Sequence, residues 1–281
     1  MEIFTTIKDI RVKINEWKKN NYSIGLVPTM GYLHNGHGSL ISQSIKDNDK
    51  TIVSIFVNPT QFGVGEDLEK YPRDIERDKL FLDKLKVDAI FNPSVEEMYS
   101  KNSLTTVYVD NMSSILCGKT RPTHFQGVTT VVTKLFNITN PDKAYFGSKD
   151  FQQLQIIKRM VKDLNFNIEI VGMPIVREID GLALSSRNVY LNDEERKSAL
   201  LLNRALNNAK ELFNNGQINA NEIIKETERI ISNEKNTKID YINIVDIDTL
   251  DKVDIINRPV VMLLAVYVGN TRLIDNTVIN L

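Results

Sequence analysis

The chain has 281 residues, too many for one average core, and its 42% hydrophobic and 25% charged side chains are those of a soluble globular protein with one large domain or two smaller ones. Its 35 basic and 36 acidic residues leave a net charge of −1, which argues against nucleic acid or an anionic membrane as a general partner and leaves room for a small polyanion held at one site. The single cysteine, Cys117, excludes an internal disulfide and a zinc site built on cysteine pairs. It reads as a small buried side chain in a reducing compartment, since no histidine or second cysteine adjoins it. The N-terminus lacks a basic segment followed by an apolar core, and no apolar run approaches the ~20 residues of a membrane span, so a cytoplasmic protein is expected.

Residues 6–19 read as an amphipathic helix, with Ile7, Ile10, Ile14 and Trp17 at helical spacing and a capping-box pattern in Thr6-x-x-Asp9. Ile24-Gly25-Leu26-Val27 is a short buried strand, and Pro28 removes a backbone donor where pairing is expected to stop. The stretch Pro28-Thr29-Met30-Gly31-Tyr32-Leu33-His34-Asn35-Gly36-His37 then reads as strand end, turn and helix start. Two imidazoles beside the N–H groups of a helix start suit phosphate, because both offer donors to an anion. A polar loop that happens to hold two histidines is the plain alternative. The third and last histidine, His124, also lies in a loop-like segment, Arg121-Pro122-Thr123-His124-Phe125, so none is spent on an ordinary surface or core position.

Leu40, Ile41, Ser44 and Ile45 continue the helix, and residues 51–57 form a nearly continuous β-branched and apolar strand. Such a β-α-β unit implies a parallel sheet covered on both faces. The second strand ends in Asn58-Pro59-Thr60-Gln61-Phe62-Gly63, outside the carboxyl end where α/β sheets bind ligands. Asn58 and Gln61 are therefore candidate hydrogen-bonding residues, or Asn-Pro simply starts a turn. A loop over 63–71 precedes a helix carrying Ile75, Leu82 and Leu85. There Asp74, Glu76 and Asp78 read as a charged helix face, with metal ligation the less common meaning.

Strands are expected at 89–91 and 105–109. Residues 118–125, marked by Gly118 and Pro122 and carrying Lys119, Arg121 and His124, read as an anion-facing loop or an ordinary solvated one. A helix with the core stripe Val128, Val131, Val132, Leu135 and Ile138 stops at Asn140-Pro141-Asp142. The strand 144–146 opens onto Gly147-Ser148-Lys149-Asp150 and a helix over 151–164, where a glycine, a helix start and a lysine again suit phosphate. After a strand over 168–176, the segment Leu184-Ser185-Ser186-Arg187-Asn188 packs two hydroxyls, a guanidinium and an amide into five residues. It can bracket a triphosphate through charge-assisted bonds, or be a capping serine pair with a surface arginine. Beyond it, helices over 192–214 and 219–233 and strands over 239–245, 260–268 and 271–274 read as a smaller α+β domain.

With these pieces in place, the sequence resembles the pantothenate synthetase (pantoate–β-alanine ligase) family across nearly its whole length. The matching stretches are Pro28 to His37, Phe56 to Phe62, Tyr71-Pro72-Arg73, Arg121 to Phe125, Phe146 to Gln153 and Ser185-Ser186-Arg187-Asn188, in the family's order. The resemblance implies an α/β fold: a Rossmann-like HxGH nucleotidyltransferase domain with a parallel sheet over 1–176 that binds nucleotide and pantoate, and a small α+β lid domain over 177–281. It further implies a cytoplasmic homodimer that takes pantoate and ATP to pantoyl adenylate and pyrophosphate, and then β-alanine to pantothenate and AMP.

By match to the family's motifs, Met30, Gly31, Tyr32, Leu33, His34, Asn35, Gly36 and His37 would surround ATP, with Gly147, Ser148, Lys149, Asp150, Val176, Leu184, Ser185, Ser186 and Arg187. Gln61 and Gln153 would hold pantoate, Gln61 would also face β-alanine, and Asn58 would lie close by. His37, the family's proposed proton donor, would act with His34 and Lys149 in catalysis. ATP would enter as a substrate with Mg2+ carried on its phosphates, Asp78 being a candidate contact, and no tightly bound organic cofactor is implied. Adenylation gives an otherwise unreactive carboxylate an AMP leaving group, so the reaction calls for preorganised donors more than for a nucleophile.

The chain departs from the family pattern at Gly38, where a larger apolar residue is expected and the helix start is expected to loosen, and at Thr123, where glycine is common. Ser148 and Leu184 stand at variable positions and are expected to contribute backbone contacts. Another HxGH adenylyltransferase and a non-catalytic nucleotide-sensing module are the rival readings, the first disfavoured by the Gln61 and Gln153 pair.

Overall fold

Short β-branched and apolar segments form the central sheet of the larger part of the chain. The computed structural model describes residues 1–280 and divides into two compact units: residues 1–148 with 156–174, and residues 149–155 with the chain from Ile175 onward. In order, the first contains β1 (Glu2–Phe4), α1 (Ile7–Lys19), β2 (Ile24–Thr29), α2 (Asn35–Asp47), β3 (Lys50–Ile55), α3 (Ile75–Lys84), β4 (Ala89–Phe91), α4 (Val95–Met98), α5 (Cys117–Thr120), α6 (His124–Thr139), β5 (Lys143–Gly147), the later part of α7 (Phe151–Asp163) and β6 (Glu169–Met173). The strands form one six-stranded sheet in the order β1-β4-β3-β2-β5-β6, and each neighbouring pair runs parallel.

The expected α/β class is thus observed, and its physical cause is visible in β2 and β3. Ile24, Leu26, Val27, Ile52 and Val53 are fully buried, as strands must be when helices cover both sheet faces. A core of Val27, Leu33, Leu40, Ile41, Val53, Ile55, Leu82 and Ile90 ties α2 and α3 to these strands. Half of the capping box read at α1 is present: Asp9 N–H donates to Thr6 Oγ1 at 3.1 Å, while Asp9 Oδ2 accepts from the Thr6 hydroxyl at 2.7 Å. Cys117 is buried.

Three local expectations are corrected. Pro28 ends pairing on one side only: β2 pairs with β5 at Gly25 and Leu26 but with β3 through to Thr29. Residues 105–109 are not a strand, because side chains of α6 take the backbone groups that a neighbouring strand would use. Val107 N–H donates to Thr130 Oγ1 at 3.0 Å, and Val107 O accepts from Thr129 Oγ1 at 2.6 Å. Gly38 does not loosen α2; it is buried, and a Cβ there would lie 3.1 Å from the ring of Phe81, so the missing side chain lets α3 approach.

The second unit carries α8 (Asp193–Asn214), α9 (Ala220–Ser232), β7 (Thr237–Asp246), β8 (Val260–Val268) and β9 (Thr271–Ile279). The three strands form an antiparallel sheet with β8 in the middle, and β9 runs five residues beyond its expected end. Leu202, Leu206, Ile223, Ile231, Met262 and Leu264 share one core. Asn192 caps α8 reciprocally with Glu195: Asn192 Oδ1 accepts from the Glu195 N–H at 2.9 Å, and Glu195 Oε2 accepts from the Asn192 N–H at 3.0 Å. Among the described residues no helix is long and apolar enough to cross a membrane.

Candidate active site

The strand order reverses between β2 and β5, which makes the carboxyl ends of these strands the switch point where open α/β sheets take ligands. The histidine turn stands there, at the end of β2. Gly31 (φ +84°) and Tyr32 (φ +52°) take left-handed conformations that swing the chain into α2. The Asp78 carboxylate of α3 holds that turn, accepting from Tyr32 N–H through Oδ2 and Leu33 N–H through Oδ1, each at 2.7 Å. Burial pushes the Asp78 carboxyl up, against the pull of those two N–H groups and Arg77.

His34 is the N-cap of α2, and its Nδ1 accepts from Gly36 N–H at 3.1 Å. His37, three residues on, closes the box: its Nδ1 accepts from His34 N–H at 3.3 Å, and the two ring centroids are 4.1 Å apart. An imidazole nitrogen that accepts has no proton of its own, so each neutral ring carries its hydrogen on Nε2. The local sequence therefore fixes both the orientation and the tautomer of the pair.

The second turn follows β3. Asn58 caps the 3-10 turn Pro59–Gln61 and is 1% exposed. Its Nδ2 donates to Gln61 Oε1 and to Gly127 O, both at 3.1 Å, and its Oδ1 accepts from Thr60 N–H at 3.3 Å, Thr60 Oγ1 at 2.9 Å and Tyr99 OH at 2.9 Å. Gln61 is 8% exposed, and its Nε2 lies 3.0 Å from Met30 Sδ. Asn58 starts the turn, as Asn-Pro suggests, and its amide bonds go to protein groups, among them Gln61, which it orients. The loop over 118–125 is instead two helix ends, α5 and α6. Arg121 there pairs with Glu66, with Nε to Oε1 at 2.9 Å, and donates through Nη2 to Gln61 O at 3.4 Å. Burial raises the Glu66 carboxyl, but the bonds and charge of Arg121, with His124 and Gly63 N–H, outweigh it and hold Glu66 below its ordinary value. His124 Nδ1 lies 2.9 Å from the same Gln61 carbonyl, which can only accept, so His124 carries a proton on Nδ1, where His34 and His37 accept.

Lys149 and Asp150 belong to the second unit, in the 3-10 turn Ser148–Asp150 that leads into α7. Asn276 of β9, 4% exposed, donates through Nδ2 to Lys149 O at 2.9 Å, and the Lys149 ammonium lies 4.0 Å from Asp150 Oδ2. Gln153 is half-buried in the first turn of α7. A Cβ on Gly147 would meet nothing within 4 Å. Val176 and Leu184 face each other in a hairpin, Leu184 N–H donating to Val176 O at 3.0 Å. Arg177 ties that hairpin to Asp275 through two bonds, at 2.6 and 2.9 Å. Of the plain reading, only one part is seen: Ser185 caps the 3-10 turn Ser186–Tyr190 by accepting from Arg187 N–H at 3.3 Å, whereas Ser186 is buried and Arg187 half-buried. Asn188 Nδ2 donates to Glu178 Oε1 at 3.1 Å and to Ala183 O at 3.0 Å.

The family model for pantoate-beta-alanine ligase matches residues 2–278. The chain belongs to the pantoate-beta-alanine ligase family. Pantothenate synthetases of Enterococcus faecalis and Caldicellulosiruptor bescii are 55% identical over 276 residues and 56% identical over 279, covering 98% and 99% of each chain respectively. Among solved structures, the pantothenate synthetase of Thermus thermophilus superposes with a TM-score of 0.94 at 43% identity, covering 99% of both chains. The pantoate-beta-alanine ligase of Francisella tularensis, complexed with beta-gamma ATP and beta-alanine, gives 0.82 at 38% identity and covers 99% of this chain and 97% of that one.

Sequence reasoning missed Gly127 and Tyr99, which shape this ligase's turns, and gave Asp78 a different part. Asp78, read as part of a charged helix face, is 1% exposed and spends both oxygens on backbone N–H groups. Gly127 lets α6 lie against the 3-10 turn, since a Cβ would come within 2.5 Å of Gln61 N and Thr60 O; a lone glycine in a β-branched stripe was the available signal. Tyr99 carried none, standing alone after a short helix.

Proposed function

We propose that this ligase joins pantoate to β-alanine through an enzyme-bound pantoyl adenylate, with ATP as the second substrate. A pantoate carboxylate oxygen attacks the α-phosphorus, the bond to the α–β bridging oxygen breaks, and pyrophosphate leaves. The β-alanine amine then attacks the acyl carbon, the C–O bond to phosphate breaks, and AMP departs with that oxygen. The amine's surplus proton is released.

The observation that carries this reading is the histidine turn of a chain in this family: a helix start at a switch point whose two rings, when neutral, both hold their proton on Nε2. Negative charge grows on the phosphates in the first step, and such donors stabilise it without reorganising. By the resemblance, residues 30–37, 147–150, Val176 and 184–187 surround ATP, with Lys149 and Arg187 supplying positive charge. Gln61 and Gln153 hold pantoate without adding charge, and Asn58 acts by orienting Gln61. His37, the family's proposed proton donor, offers its Nε2–H as a hydrogen bond to the departing phosphate oxygen.

Magnesium on the nucleotide would screen phosphate charge. Asp78 is a poor fit as its ligand, because it is 1% exposed and each carboxylate oxygen already accepts from a backbone N–H. We also infer, from the resemblance, a homodimer, which light scattering at micromolar concentration tests. For the reaction itself, incubation with ATP, β-alanine and varied pantoate is expected to release AMP in proportion to pantothenate formed. AMP release indifferent to pantoate would refute the assignment.

A further inference from the structure

A carboxamide can be turned either way round, and the two ends of Gln61 offer opposite chemistry to an acid. The surroundings of Asn58 settle which end faces where. Thr60 N–H can only donate and Gly127 O can only accept, so Asn58 sits with Oδ1 toward Thr60, at 3.3 Å, and Nδ2 toward Gly127, at 3.1 Å. The second Asn58 N–H then meets Gln61 at 3.1 Å, and the atom it meets must be Oε1. Gln61 Nε2 is consequently the other end, with one N–H on the weak acceptor Met30 Sδ at 3.0 Å. Among the described residues the Gln61 amide has no partner besides Asn58 and Met30. Its second N–H is what it can offer a ligand.

Tyr99 completes this arrangement from 41 residues away. Its hydroxyl donates to Asn58 Oδ1 at 2.9 Å, while its ring packs on Phe56 and under the Lys134 ammonium, with centroid distances of 6.3 and 5.6 Å. Burial pushes the phenol above its ordinary value, so it remains a donor through the working pH range. Asn58 needs such donors, because an oxygen that has lost them lets the amide swing and present nitrogen where Gln61 now finds a hydrogen to accept.

We propose that Tyr99 is a positioning residue for pantoate: by holding Asn58 it sets the Gln61 amide so that an N–H, and not the carbonyl, faces an oxygen of the acid. This rests on the reading of Gln61 as a pantoate-binding residue. Neither Tyr99 nor Asn58 needs to touch the substrate.

The test is a double-mutant cycle of Tyr99→Phe and Gln61→Ala, read as KM for pantoate and KM for ATP, with thermal melts of each variant. Phe keeps the ring packing, so Tyr99→Phe is expected to melt as the wild type does. Its pantoate KM rises about fivefold, the size of one lost hydrogen bond, and its ATP KM is unchanged. In the Gln61→Ala background the same change adds less than about twofold. A pantoate KM within about twofold of wild type in Tyr99→Phe, or a full fivefold effect that persists without the Gln61 amide, overturns the positioning role while leaving Gln61's own role intact. No effect of Gln61→Ala on pantoate overturns the placement of the acid on Gln61, and the role of Tyr99 with it.

Discussion

The turns that follow β2 and β3 occupy equivalent places on neighbouring strands, yet they are held in different ways. In the histidine turn the rings are fixed by bonds two and three residues along the chain, and one remote carboxylate, Asp78, supports the approach. In the glutamine turn the amide is fixed by a neighbour, Asn58, that itself depends on Tyr99 and Gly127, while Arg121 and His124 hold the Gln61 carbonyl. The first device is local and sets a tautomer; the second is tertiary and sets an orientation. Damage to the histidine turn should therefore strike the chemistry, and damage to the glutamine turn should strike recognition of the acid.

The largest expected effect separates the two most clearly. His37→Ala is expected to lose on the order of 10²-fold or more in single-turnover adenylate formation, the usual cost of deleting a preorganised donor, with a near-native fold. Lys149→Ala is expected to behave alike, and near-normal adenylation in either variant would contradict the catalytic roles of these two side chains. Next comes Gly127→Ala, whose Cβ would press on the Thr60–Gln61 backbone and is expected to cost about 1–3 kcal/mol in urea denaturation. Unchanged stability there would mean that α6 can retreat freely and that the glutamine turn is loosely built. Gln61→Ala is expected to raise pantoate KM about tenfold and to leave ATP nearly unaffected; equal effects on both substrates would erase the distinction between the turns.

The smallest effect is a pH dependence. Glu66 has a folded-state value below its ordinary 4.5, so the Arg121 pair contributes stability that is complete above that pH and is lost as pH falls through the lowered value. The stability difference between wild type and Glu66→Gln should accordingly be level near neutrality and shrink below about pH 4. A difference that grew on acidification would contradict the pairing.

This contrast also explains what was legible in the sequence. The β-α-β pattern, the histidine turn, the junction at Lys149 and the serine–arginine segment could be read because each is decided within a few residues by periodicity, capping and helix starts. Residues 105–109 could not, because Thr129 and Thr130, more than twenty positions away, bind the backbone of Val107 and replace a strand partner. Asp78 looked like any acidic residue on a helix, since the N–H groups it satisfies come from a turn 45 and 46 residues earlier. Tyr99 acts only through contacts that the fold creates, so no local pattern announced it, and the lone Gly127 in its β-branched stripe did not say which turn would lie against it.

The central claim, that the acid is activated as an adenylate, is tested most directly by following oxygen. Pantoate labelled with 18O in its carboxylate, turned over with ATP and β-alanine, is expected to yield AMP carrying one labelled oxygen per pantothenate formed, read by mass spectrometry. Unlabelled AMP, or label in pyrophosphate or inorganic phosphate, would contradict it.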